Sequence, residues 1–186
     1  MAVVAQVHEE AQRPAMNHLG LWLFFLSESF LFAALATARF FISGTDRPED
    51  LNQALGLGIT AVLLVSSLTA FRAETAIAQG DRAGFQRFLL ATILLGLVFV
   101  GGVVVEWSTA EFDISDPYGT AFFSMTGLHA THVISGIVML ALVYRLSRRG
   151  HFSAKQYWGA EATIKYWHFV DVVWVFFYPI LYLVTV

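Results

Sequence analysis

Apolar residues fall in five long runs, at about 19–42, 55–71, 88–107, 120–144 and 166–186, each bounded by polar or turn-forming residues. Each run is close to the ~20 residues that a helix needs to cross the hydrocarbon of a bilayer. Between them lie the linker SGTDRPEDLNQ, a polar segment from Arg72 to Arg87, the acidic stretch STAEFDISDPYG and the basic stretch RLSRRGHFSAKQYWGAEATIK. Residues 1–18 form a polar lead, and Pro14 within it argues against one continuous helix through that tail. The pattern predicts an all-α integral membrane protein: a tail over 1–18 and a single membrane domain over 19–186 built as a bundle of five transmembrane helices. No internal repeat or low-complexity segment interrupts it.

Charge orients the bundle. Of the eleven Lys and Arg, all but Arg39 and Arg47 fall in segments on one side of the predicted spans: Arg13, Arg72, Arg82, Arg87, Arg145, Arg148, Arg149, Lys155 and Lys165. Basic loops stay in the cytoplasm, so the N-terminus is expected inside and the C-terminus outside, on the periplasmic side. An odd number of spans satisfies that arrangement.

Composition narrows the classes. The chain is 57% hydrophobic and 13% charged, about half the ~25% charged share of soluble domains. A net charge of −3 gives no basic footprint for nucleic acid. With no cysteine, disulfides, thiolate metal sites and thiol catalysis are excluded. The lead contains acids before the first apolar run, unlike the basic start of a cleaved signal peptide.

Polar residues inside the runs are the candidates for function, because an ionisable group in hydrocarbon is costly unless paired. Glu28 falls near the middle of the first run, as a proton-handling, lipid-contacting or subunit-contacting group or as an interhelical hydrogen bond. His129 and His132 stand at i, i+3 on the fourth and share a face; they read as hydrogen-bonding core histidines or as ligands. Haem would need axial ligands at matched depth, and His168 lies far from these two in depth. On the fifth run His168 and Trp174 flank Asp171, with Trp167 nearby. The imidazole and the Trp174 indole are the expected donors to the Asp171 carboxylate; the competing reading is an interfacial aromatic anchor with a snorkelling histidine. Ser66, Ser67 and Ala70 on the second run permit close helix contact. Glu106, Glu111, Asp113 and Asp116 read as a solvated or docking surface outside. His8, His18, His151 and His168 stand inside among Glu74, Asp81 and Glu161.

Three stretches together carry a family pattern. WLFFLSESFLF places Glu28 after Ser27. DISDPYGTAFFSMTGLHATHVISG holds His129, His132, Val133 and Gly136, with Leu128 between Gly127 and His129. YWHFVDVVWVFFYPILYL is the most specific of the three, with Glu161 preceding it. In order and topology the chain, from about Asn17 to its end, resembles subunit III of the haem-copper respiratory oxidases, in the five-helix form. The resemblance implies an accessory subunit of a cytochrome c or quinol oxidase in a bacterial-type plasma (inner) membrane, supporting oxygen reduction and proton pumping by partner chains. It implies no catalytic residue, metal or redox cofactor in this chain, with haem and copper in the partners. Subunit I is the expected main contact, with subunit II and other small subunits in the complex. Glu28, His129, His132, His168, Asp171 and Trp174 are then buried packing or proton-related groups, and Glu28, Glu161, Trp167 and His168 the candidates for phospholipid or subunit contact. The alternatives are the related accessory protein of nitric oxide reductase and, from another class, a small membrane cytochrome b.

Overall fold

The computed structural model describes residues 2–45, 47–48 and 51–184, with side chains from Met16 onward, so His8 and Arg13 lie outside the described side chains. Five helices account for nearly all of it: α1 (Ala2–Ser43), α2 (Gln53–Ala78), α3 (Arg82–Thr109), α4 (Pro117–Arg148) and α5 (Trp158–Tyr178). Each contains a segment long and apolar enough to cross a membrane. The chain is an all-helical integral membrane protein.

Helix ends depart from the hydropathy limits. The polar segment from Arg72 to Arg87 is not a loop: α2 continues to Ala78 and α3 begins at Arg82. The basic stretch likewise contributes the end of α4 and the first turns of α5. Hydropathy marks the hydrocarbon, whereas backbone hydrogen bonding continues into the headgroup zone until a cap stops it. Here the stops are local. The Asp81 side chain accepts from Gly84 N at 2.8 Å, and Gly80 and Gly150 take φ of +81° and +75° just past α2 and α4, a conformation that favours glycine.

Two further departures concern proline. α1 runs unbroken through Pro14, against the expected break. One missing N–H removes a single hydrogen bond, and the flanking Ala, Gln and Glu residues are strong helix formers. At the other terminus, α5 does not continue to Val186 as an α-helix. It passes at Pro179 into a wide π turn, Pro179–Leu183, closed by Val184 N donating to Pro179 O at 3.0 Å.

The bundle has two unlike ends. At the basic end, the His18 ring lies 4.3 Å from that of Trp158 and Gln86 Nε2 donates to Ser147 Oγ. At the acidic end, Arg47 donates to the carbonyl of Tyr182, and Tyr118 donates to that of Leu181. α5 is the central helix: half of its most apolar stretch is buried inside the chain, against 11% for α1. α2 and α3 form a closely packed hairpin on one side of α5, α4 closes another, and α1 lies outermost against α4 and α5.

Candidate functional site

The fifth helix is joined to the second by a ladder of side-chain bonds. Trp167 Nε1 donates to Ser66 Oγ at 3.0 Å, and Trp174 Nε1 donates to Thr60 Oγ1 at 2.9 Å. Both hydroxyl hydrogens are already committed within α2, Ser66 to Leu63 O and Thr60 to Gly56 O. Each hydroxyl therefore presents its lone pairs to an indole, which only donates. His168 Nδ1 meets Ser67 Oγ at 2.8 Å between these rungs. The indole of Trp167 fills a slot where α3 and α4 both lack a side chain. A Cβ at Gly96 would stand 2.6 Å from Trp167 Cη2, and one at Gly136 would stand 2.8 Å from Cε3.

This arrangement overturns the expected Asp171 cluster. Asp171 is buried, yet His168 and Trp174 do not donate to it, and among the described residues neither carboxyl oxygen has a hydrogen-bond partner. The hydroxyl of Ser67 is its polar neighbour on α2, and that hydroxyl bonds His168. Side chains three apart on a helix share a face but project outward from it, so the imidazole and indole reach across to α2 rather than along α5. Trp167 and Trp174 have essentially no exposed surface, which sets aside the aromatic-anchor reading and lipid contact by Trp167.

Glu28 and His132 meet across the α1–α4 seam, with Oε2 and Nε2 3.2 Å apart. His132 Nδ1 lies 2.8 Å from Leu128 O, one turn back on α4. A carbonyl only accepts, so Nδ1 carries hydrogen. One proton then lies between Nε2 and Oε2, on the carboxyl or on the ring. His129 does not join this pair. It turns inward, donating from Nε2 to Val170 O at 3.1 Å, with the Trp174 and Phe99 rings packed against it at 4.7 and 5.6 Å. The two histidines thus serve different seams, α4–α5 and α4–α1.

Glu106 is a correction of another kind. It is 3% exposed, not solvated, and accepts from Tyr182 Oη at 2.7 Å. Arg39, fully buried on α1, donates to Ser43 Oγ and to Gly44 O and lies 5.2 Å from the centre of the Tyr118 ring. Tyr118, Tyr182, Glu106 and Arg39, with half-buried Arg47 beside them, form a polar group at the acidic end that sequence reasoning missed. The signal was present in the spacing: Glu106 follows Phe99 and Val103 on the buried stripe of α3, and Tyr182 lies two turns beyond Trp174. The π turn turns carbonyls 181 and 182 toward these donors.

At the basic end Glu161 pairs with Lys165 at 2.5 Å. Lys165 and His168 border an apolar groove of about 630 Å³ between α1 and α5, walled by Trp22, Phe25, Leu26 and Phe169.

Comparison with known proteins agrees over this whole frame. Residues 2–186 match the family model for cytochrome c oxidase subunit III. The cytochrome c oxidase subunit 3 of Thermostichus vulcanus is 33% identical, over 94% of this chain and 90% of its own length. That of Neurospora crassa is 38% identical over 94% and 70%, and that of Synechocystis 30% over 96% and 80%. A match that runs the length of a five-helix membrane bundle, with Glu28, His132 and the Trp167–Trp174 ladder inside it, places the chain in the cytochrome c oxidase subunit III family.

Proposed function

We propose that the chain is the accessory, non-redox subunit III of a haem-copper terminal oxidase in a bacterial-type inner membrane. It packs beside subunit I, in a complex with subunit II and smaller chains. It stabilises that subunit and supports proton uptake at the basic end, which faces the cytoplasm by the distribution of Lys and Arg. Oxygen reduction and proton pumping reside in the partners, which hold haem and copper. The observation that carries the reading is the use of the mid-membrane histidines: His129 and His132 spend their Nε2 atoms on Val170 O and Glu28, as helix-joining groups do. The α1–α5 groove, with its apolar walls and with Lys165 and His168 at its rim, is suited to a phospholipid acyl chain.

The test is affinity purification through a tag on this chain, in mild detergent. The expected result is a complex with haem and copper, whose spectrum stays with the other subunits when this chain is stripped off. Haem without copper would assign the chain to a nitric oxide reductase, and a Soret band retained by the stripped chain would make it a cytochrome b.

A further inference from the structure

The two outer faces of the bundle are chemically unlike. The face of α2 and α3 exposes Leu57, Leu64, Leu68, Leu94, Leu97 and Val104, and every hydroxyl in the middle of α2 is turned inward. The flank of the α1–α4 seam exposes Ser27, Thr131 and Ser135 around the Glu28–His132 pair. Glu28 lies 12 residues into the Met16–Ser43 span, roughly 18 Å at the helical rise, and His132 is at the middle of Pro117–Arg148. These groups therefore sit at mid-membrane depth, where hydrocarbon offers no partner.

We infer that the α1–α4 flank is the face on which a transmembrane helix of a partner subunit docks, and that this helix brings a hydrogen-bond donor to the depth of Glu28. The inference rests on the reading of the chain as a subunit of a larger complex. Its basis is hydrogen-bond complementarity. With one proton between Oε2 and His132 Nε2, Glu28 Oε1 is an acceptor wherever that proton sits. Among the described residues no donor reaches it, and a fifth of the side chain is exposed. The surrounding hydroxyls have spent their hydrogens on their own helices, Ser27 on Phe24 O, Thr131 on Gly127 O and Ser135 on His132 O, and Ser135 Oγ is already met within the chain by the Tyr166 hydroxyl of α5 at 2.6 Å. Glu28, Ser27 and Thr131 thus offer acceptors alone, and a hydroxyl, amide or indole N–H from a neighbouring helix completes them. The α2–α3 face offers neither donor nor acceptor and suits lipid.

Photo-crosslinking in the assembled complex tests the assignment. p-Benzoylphenylalanine replaces Ser27 or Thr131 on one face and Leu64 or Leu97 on the other. Adducts to another polypeptide from the first pair, with lipid adducts alone from the second, are expected. Protein adducts from Leu64 or Leu97, or lipid adducts alone from Ser27 and Thr131, would overturn it. Tryptophan substitution gives an independent readout: T131W should retain about tenfold less partner on co-purification, whereas L97W retains it all, an overpacking effect confined to a packed face. Helical circular dichroism of each variant excludes misfolding. Wild-type co-purification, run alongside, reports separately on whether the chain has partners at all.

Discussion

α5 and α1 each cross the membrane once, and they are held by opposite means. α5 is enclosed: Trp167 sits in a glycine-lined slot, and three of its side chains bond hydroxyls on α2. α1 is a peripheral helix held by the Glu28–His132 pair and by aromatic contacts such as Phe25 stacked on Phe169 at 4.9 Å. In the first arrangement the Trp167 and Trp174 indoles are satisfied within the chain, and Asp171 alone on that helix is buried without a partner among the described residues. The second leaves acceptors at its edge unfilled, so a helix near the surface of the subunit is the one suited to mediate assembly.

The largest effect expected from this contrast is at the centre of α5. Trp167→Ala should cost ~3–5 kcal/mol in reversible unfolding in mixed micelles. Phe41→Ala on α1, at a residue 86% exposed, should change stability by less than ~0.5 kcal/mol. Equal losses at the two sites would erase the distinction.

A sharper version uses one helix. Gly96→Ala drives a methyl group into the Trp167 indole and should cost ~1–3 kcal/mol. Gly101→Ala, five residues on, meets nothing within 4 Å and should be neutral or stabilising by up to ~1 kcal/mol. Thermal midpoints of the two variants check it.

How much of this was legible follows the same division. The number of spans and the buried stripes came through because apolar length and helical periodicity are properties of single segments. Glu28 and His132 were recognisable as polar groups at matched depth. What was not legible was the direction of each bond. His168 and Trp174 have Asp171 three residues away in sequence, but the hydroxyls they bond lie more than 100 residues earlier. Glu106 looked solvated beside acidic loop residues; its burial depends on Tyr182, brought over it by a π turn that hydropathy does not encode.

Asp171 separates stability from assembly. Both carboxyl oxygens lack partners, so Asp171→Leu should leave the isolated chain within ~1 kcal/mol of wild type, because removing an unsatisfied polar group has little to lose. A large loss would mean that Asp171 is bonded within the chain. Full stability with lowered oxidase turnover would place its partner in the complex.

A modest effect is expected at the pair that holds α1. Glu28→Gln keeps an acceptor and a donor and should loosen α1 by ~0.5–1.5 kcal/mol, less than Glu28→Ala. Proteolysis of the α1–α2 linker measures the difference.

The central claim is that polar side chains within the membrane act as bonds between helices. Its most direct test is a double-mutant cycle on Trp174→Phe and Thr60→Val, read as unfolding free energies in bicelles. A coupling of ~0.6–1.7 kcal/mol is predicted. Strictly additive losses, with no coupling, would contradict it.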